Sequence, residues 1–538
     1  MGYKTRLPFL AILTFSFSSG ISPHNHEDFI RCFSDSFGNS KSISRVLYTK
    51  SNPSTYTSIL QSTIRNSRYN YASTIIPKPL AIITPLKKSH IQAAITCSRK
   101  HGIQVRVRSG GHDYEGLSYV AGVPFVVIDL VNFRRVIVDE TTKTAWVEAG
   151  AQLGEVYYRI AEKSRTLAFP AGLCHTVGVG GHFSGGGYGM MMRKHGLAAD
   201  HIIDAQLIDV KGRILDRKSM GEDLFWAIRG GGGNTFGVVI AWKLSLVQVP
   251  PTVSVFNVTR TSLEQNVTKL VHRWQYAVSK FHEDLFSRIY IGTVNSTNGE
   301  IGIRTTFTSL FLGGVDRLLP MMQETFPELG LTKKDCTEMS WIESVLLFAE
   351  FPTNASLDVL LDRTNSPLII YFKVKSDYVK EPIPEIALEG IWKRLYQVDV
   401  QRSLVQFSSY GGRMNEISES STPFPHRAGT QFQIQYSVFW VKDDIETSKS
   451  RITWMRRLYS YMASYVSKNP RGAYINYRDL DLGVNNLNGS TNYKQASIWG
   501  AKYFGRNFDK LVRVMTAVDP DNFFRNEQSV PPISSWVI

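Results

Sequence analysis

The chain has 538 residues, more than one hydrophobic core usually organises, and its 43% hydrophobic and 20% charged residues exclude a disordered or collagen-like protein. Its net charge of +15 comes from lysines and arginines scattered along the sequence with no nucleic-acid motif beside them, which excludes a nucleic-acid reader. The charge reads first as a solvated basic surface and second as an affinity for a polyanion such as that of a cell wall.

In chain order, Lys4 and Arg6 precede an apolar run from Leu7 to Phe17, and Ser18, Ser19 and Gly20 follow. A charged start, a short apolar stretch and small residues predict a secretory signal over residues 1–22. No run reaches ~18 uninterrupted apolar residues, so no membrane span is expected. Secretion makes a disulfide admissible among Cys32, Cys97, Cys174 and Cys336, but counting leaves the pairing open. No CxxC pair occurs, and His24, His26, His112, His175, His182 and His195 form no HExxH, so no metal site is expected. Asn257, Asn266, Asn295, Asn354 and Asn488 each open a glycosylation sequon.

Residues 27–70 read as short helices, around Phe29–Phe37 and over Ser54–Arg65. From Ala81 to Val249, β-rich runs at 81–83, 105–107, 125–130, 145–148, 205–210 and 238–241 alternate with helical segments at 90–101 and 153–163. Pro250-Pro251 marks a boundary. Residues 252–470 are strand-rich, with helices expected at 263–281, 316–325 and 452–466, as in a second lobe built on an antiparallel sheet. The tail is expected to hold a strand over Tyr474–Tyr477 and one helix over Trp499–Val518.

Three glycine-rich stretches carry the chemistry. The first is Arg108-Ser109-Gly110-Gly111-His112-Asp113-Tyr114. The second runs from Cys174 through Val177, Gly178, Gly180, Gly181, His182, Ser184, Gly185 and Gly186 to Tyr188. The third is Arg229 to Gly237. Without Cβ atoms, successive backbone N–H groups close on a pyrophosphate. Neither a P-loop nor a GxGxxG dinucleotide fingerprint is present, and no GxSxG nucleophile elbow occurs.

The segment Arg106–Gly116 resembles the flavin-attachment segment of the berberine bridge enzyme-like oxidases of the vanillyl-alcohol-oxidase superfamily. Cys174, 62 residues after His112, sits in a stretch similar to their second attachment segment. The resemblance continues through Asp223–Arg229, Tyr474–Asp481 and Val518–Phe524. It implies an α+β fold: a two-lobe FAD-binding fold of vanillyl-alcohol-oxidase type with an antiparallel-sheet substrate domain. The FAD-binding domain would occupy 23–250 and the substrate domain 251–470, and the segment 471–538 would return to the first lobe. FAD would be attached bicovalently, His112 to the 8α-methyl carbon and Cys174 to C6. Arg108, Ser109, Gly110, Gly111, Asp113, Val177, Gly178, Gly180, Gly181, His182, Ser184, Gly185, Gly186 and Asn476 would line the cofactor. Cys32 and Cys97 match the positions of the family disulfide. Val177 is similar to a gate residue whose small size admits oxygen.

Substrate oxidation needs a base to take a proton as hydride leaves. Gln433 and Gln435, two apart on one strand face, stand where alkaloid- and cannabinoid-forming relatives carry a glutamate, and glutamine does not titrate. A tyrosinate is therefore expected as base, Tyr477 or Tyr188, with Tyr474 and Tyr114 nearby. These readings imply a secreted oxidase in the extracellular space, cell wall or vacuole. It would oxidise a small-molecule alcohol or oligosaccharide hemiacetal, such as a monolignol or a sugar reducing end, with molecular oxygen reduced to hydrogen peroxide. Alkaloid oxidation and a catalytically silent flavin-carrying wall protein are the alternatives.

Overall fold

The computed structural model describes residues 23–38, 43–69, 77–233, 235–262, 264–295, 299–352, 354–364, 370–397, 403–442, 444–486 and 491–533. The expected signal segment 1–22 and the sequon asparagine Asn488 lie outside them.

The first lobe begins with a four-stranded sheet in the order Leu47–Thr49, Ala81–Ile83, Phe125–Asp129, Gln104–Arg108. The last three strands are mutually parallel. The helix Lys88–Lys100 crosses between Ala81–Ile83 and Gln104–Arg108, the connection that parallel strands require. All five residues of Phe125–Asp129 and of Gln104–Arg108 are buried, as expected of strands covered on both faces. A five-stranded antiparallel sheet follows, in the order Val136–Asp139, Thr144–Glu148, Val238–Ser245, Ile202–Ile208, Ile214–Leu215.

Beyond Pro251 lies a seven-stranded antiparallel sheet. Its order is Cys336–Met339, Val253–Thr261, Ile301–Phe311, Leu285–Asn295, Ser403–Ser409, Phe432–Trp440, Tyr371–Val379. The helices Val267–Val278, Glu385–Leu395 and Ile445–Met462 cover one face, and Trp274, Leu388, Trp454 and Leu458 form with the strands a second core. The first core takes residues from Phe29 to Val255, some from the second lobe such as Phe286, Trp341 and Phe424, and again from Ala473 to Val530, so the tail packs into the first lobe. The architecture is the expected α+β one.

Two tail elements differ from expectation. Residues 474–477 form a turn, closed by Tyr477 N–H to Tyr474 C=O at 2.9 Å, and not a strand. The N–H of Tyr474 donates to Ser376 Oγ (2.9 Å), so a side chain takes the donor a ladder would have used. The single helix expected over 499–518 is two, Tyr493–Phe504 and Asn507–Val518. They are split at Gly505, whose φ of +53° ends a helix in the way glycine allows. The strand Leu47–Thr49 also falls within residues read as short helices, and two helices differ at their ends: the one expected from Leu263 starts at Val267 after the cap Asn266, and that expected from Ile452 starts at Ile445 after the cap Asp444.

Cys32 and Cys97 form a disulfide between the helices Pro23–Asp35 and Lys88–Lys100. It closes a loop across 65 residues, so replacing both by Ser should cost about 4 kcal/mol of stability. Denaturant unfolding with and without the pair measures this, and an unchanged midpoint contradicts it. No helix among the described residues is long and apolar enough to cross a membrane.

Candidate functional site

A cleft of about 600 Å³ opens between the two lobes and the tail, within the range of small-molecule sites. Its floor is where the first two glycine stretches cross. A Cβ on Gly110 would fall 2.3 Å from the Gly178 nitrogen, so the two backbones touch as only glycines allow. Ser109 ties the crossing, donating to the Ala149 carbonyl (2.6 Å) and accepting from Gly180 N–H (3.3 Å). A Cβ on Gly181 would meet nothing within 4 Å, because that backbone faces the open cleft at the start of the helix Val179–Ser184. Gly185 lies behind the wall: a Cβ there would be 2.0 Å from Asn476 Oδ1. Gly186 also lies off the lining, beside Leu197 and Phe424.

His112 and Cys174 both line the cleft, and Cys174 is an exposed free thiol. The Thr176 hydroxyl joins them, 3.1 Å from His112 Nε2 and 3.5 Å from Cys174 Sγ. Burial holds the His112 imidazole well below its ordinary range, with Arg65 and His175 adding to the effect, so the ring is neutral and keeps a lone pair. Arg65 itself is held below the usual guanidinium range by burial. Its Nε and Nη2 find no hydrogen-bond partner among the described residues.

His182 Nε2 accepts from Gly172 N–H (3.0 Å), which puts the ring proton on Nδ1, and burial pushes its pKa down to about 4. The folded value is depressed below the ordinary 6.5, so between pH 4 and 6.5 the unfolded chain binds more protons. Stability present above pH 6.5 is then lost as pH falls to 4, by about 2–3 kcal/mol from this group. His182→Gln should flatten the fall of Tm across that window, and an unchanged slope contradicts it.

Four tyrosines stand over the floor. Tyr188 and Tyr477 share a 2.5 Å hydroxyl–hydroxyl hydrogen bond, and the Tyr114 ring stacks on Tyr477 with centroids 5.6 Å apart. Gln435 Nε2 donates to Tyr114 OH (3.1 Å) and Gln406 Nε2 to Tyr188 OH (3.3 Å). Burial raises Tyr114 and Tyr477; for Tyr477 the neighbouring Tyr188 and Tyr114 add to it and Arg288 opposes it. Burial also raises Tyr474, whose hydroxyl oxygen accepts from Gly187 N–H and from Asn476 Nδ2, each at 3.0 Å. Asn476 Nδ2 donates to the His182 carbonyl as well (2.9 Å), which fixes the turn against the floor.

The large sheet supplies the remaining polar groups through its register. Tyr290, Gln406, Gln435 and Ser376 are cross-strand neighbours, and Arg288, Ser408, Gln433 and Tyr378 form the next row. Arg288 is 5% exposed and no carboxylate pairs with it among the described residues. It donates to Ser408 Oγ (3.1 Å) and Tyr290 OH (3.2 Å), and its guanidinium carbon is 5.8 Å from the Tyr188 ring centroid. Burial would lower it, but Tyr290, Tyr188 and Tyr477 outweigh burial and raise it.

Most residues expected at the site line this cleft: His112, Cys174, Ser109, Gly110, Gly111, Asp113, Val177, Gly178, Gly180, Gly181, His182, Ser184, Asn476 and all four tyrosines. Arg108, expected at the cofactor, is turned away from it. Its guanidinium is spent on Asp129 (3.0 and 2.5 Å) and the carbonyls of Ile59 and Leu60, which fixes the strand end instead. Gln433 lies one row behind, donating to Tyr378 OH (3.2 Å), while Gln435 reaches the tyrosine cluster. Arg288, Tyr290, Gln406, Thr176 and Arg65 were not singled out by sequence. The i, i+2 spacing of Arg288 and Tyr290 was the one available signal, and it equally describes a solvated strand face.

Residues 79–217 match the family model described as FAD binding domain, and residues 473–531 the one described as berberine and berberine like. The chain is 52% identical over 531 residues to tetrahydroberberine oxidase of Berberis wilsoniae, covering 97% of this chain and 98% of that protein. The solved structure of berberine bridge enzyme-like 28 from Arabidopsis thaliana is 48% identical, covers 95% of this chain and 100% of its own, and superposes with a TM-score of 0.87. That of Phl p 4, a grass pollen allergen with glucose dehydrogenase activity, is 45% identical over 94% of this chain and 100% of its own, with a TM-score of 0.86.

Proposed function

The chain belongs to the berberine bridge enzyme-like family of FAD-binding oxidoreductases, and from that membership we propose that it oxidises an alcohol or hemiacetal with a tyrosine base and a doubly tethered flavin, passing the electrons to molecular oxygen. The donor set of the cleft fits FAD: crossed glycine loops offer backbone N–H groups for a pyrophosphate, and two nucleophiles of different softness share one wall. FAD held there would supply the electron sink for a hydride from substrate and the route for those electrons to oxygen.

His112 and Cys174 are the tethers in this reading. The neutral ring keeps one unprotonated nitrogen as the nucleophile, with Nε2 3.1 Å from the Thr176 hydroxyl. Val177 lines the cleft three residues on, small enough to leave room for oxygen. The observation that carries the function is the buried Arg288 without a carboxylate, set beside the hydrogen-bonded Tyr188 and Tyr477. A buried cation demands a counter-charge, and a tyrosinate shared across the 2.5 Å bond supplies one when the pair gives up a proton. That tyrosinate takes the hydroxyl proton of an alcohol or hemiacetal. Gln406 donates to the Tyr188 oxygen, and Gln435 donates to that of Tyr114, where it opposes the rise that burial causes.

The 52% identical tetrahydroberberine oxidase favours a second reading, oxidation of an alkaloid amine, which needs no base of this kind. Anaerobic mixing of the holoenzyme with monolignols, oligosaccharides and tetrahydroberberines separates the two. The first reading expects bleaching by an alcohol or hemiacetal and peroxide on readmission of oxygen; bleaching by the amines alone overturns it. Secretion with glycosylation belongs to the same proposal, supported by the exposure of Asn257, Asn266, Asn295 and Asn354.

A further inference from the structure

Lys373, Lys375 and Asp377 alternate on Tyr371–Val379, the edge strand of the large sheet, and share one of its faces. All three are buried, at 3%, 2% and 0% exposure, and each ends on a charge from the segment 471–481. Asp377 is held by Arg471 through two 2.6 Å contacts. Lys375 meets Asp479 (2.6 Å) and Asp481 (2.8 Å), and Arg456 meets Asp481 (2.6 Å). Lys373 differs from the other two. It meets Asp479 (2.7 Å) and, from the first lobe, Glu115, itself 3% exposed.

The two carboxylates that Lys373 joins are neighbours of the active-site tyrosines. Glu115 follows Tyr114, and Asp479 comes two residues after Tyr477. The rings of Tyr114 and Tyr477 lie 17° from parallel, and Phe372, next to Lys373, packs edge-on against Tyr114 at 5.4 Å. Glu115 also accepts from Tyr69 OH (2.6 Å), and the Asp479 backbone N–H donates to Tyr503 OH (3.0 Å). We propose that Lys373 is a positioning residue for the reaction: its ammonium joins the loop that carries Tyr114 to the turn that carries Tyr477, and so sets the stacked tyrosines over the cleft.

Stability alone does not account for this cluster, because a buried ion network is often no more stable than a well-packed apolar one of the same volume. Such networks are best attested where they fix one arrangement among several. Here three separate pieces of chain (the 114–116 loop, the sheet edge and the tail turn) must meet in one register for Tyr477 and Tyr114 to stack over the cleft. No backbone ladder joins the turn to the sheet, since the described tail holds no strand. The side-chain network does that work beside the Arg478–Asp113 ion pair (3.1 Å), and Lys373 is the member that ties both tyrosine-bearing segments to the sheet edge.

The inference rests on the tyrosine pair being the base, so its test includes a readout that needs no substrate. Holoenzymes of the wild type, Lys373→Met, Lys373→Arg, Lys375→Met and the charge-balanced Lys373→Met/Glu115→Gln are compared. The measurements are Tm, flavin circular dichroism in the visible band, and kcat and KM on whichever compound bleaches the wild type. Lys373→Met should lower kcat about 100-fold with KM little changed, the scale of a misplaced catalytic group. It should also alter the flavin band, and Lys373→Arg should restore both. Lys375→Met, equally buried but with ion pairs only to the tail and a ring contact to Tyr459, should lower Tm while keeping the wild-type band and kcat. The paired variant removes one charge of each sign, leaving only the part-exposed Arg68 without its Glu115 contact (3.6 Å), and should fold with the low kcat. Wild-type kcat and flavin band in the paired variant, or equal losses in Lys373→Met and Lys375→Met, overturn the proposal. A wild type that no compound bleaches removes the tyrosine-base reading instead, and the flavin band still decides the role of Lys373.

Discussion

Tyr188→Phe is expected to lower the limiting rate of anaerobic flavin reduction by about 10²- to 10⁴-fold, the contribution of a positioned base. Phenylalanine keeps the ring that packs against Tyr474 and Tyr477, so flavin content and Tm should stay at wild-type levels. Only the hydroxyl that bonds Tyr477 at 2.5 Å and accepts from Gln406 is lost. Tyr477→Phe removes the other half of the same hydrogen bond. The double variant should therefore be little slower than the worse single one, since the two oxygens act as a unit. A Tyr188→Phe enzyme within a few-fold of the wild-type rate contradicts the base role, and multiplicative losses contradict the shared proton.

The second large effect concerns the cofactor. His112→Ala and Cys174→Ala should each retain yellow colour on the acid-precipitated chain, because one tether remains, and the double variant should retain none. The two positions converge although 62 residues separate them, because the Gly110–Gly178 backbone contact brings their loops together. Thr176 then lies within reach of both. Each single variant should also change the flavin absorbance maximum, since each loses a different substituent. Colour that washes out of either single variant to the same extent as from the double one would mean that only one bond exists.

Much of this site was legible in the chain because its specification is local. A glycine run with a nucleophile beside it is a sequence feature, and so is the burial of strands such as Phe125–Asp129, whose continuous apolar run has no exposed face. What was not legible depends on pairing between distant segments. Arg288 and Gln406 come from two strands and reach the tyrosines only through the register of the large sheet, which no local pattern fixes. Lys373 likewise reads as an ordinary surface lysine until the tail covers the sheet edge. The 474–477 segment has strand-like residues, but its backbone donors go to Ser376 and to its own turn. The helix after it breaks at Gly505, where the chain must turn to pack Phe508 against Trp499 and Phe504. Arg108 was misassigned for the opposite reason. It sits inside the motif, but its guanidinium is buried against Asp129 and the carbonyls of Ile59 and Leu60.

The central claim is a flavin held by two bonds beside a tyrosine pair, and the most direct measurement is the mass of the flavin-bearing fragment after exhaustive tryptic digestion. Cleavage after Arg108 and Arg134 releases Ser109–Arg134 with His112, and cleavage after Arg165 and Arg193 releases Thr166–Arg193 with Cys174. The account predicts one yellow species whose mass is both peptides plus FAD, less the hydrogens lost in forming two bonds. A yellow species carrying a single peptide, or free FAD in the supernatant, would contradict it.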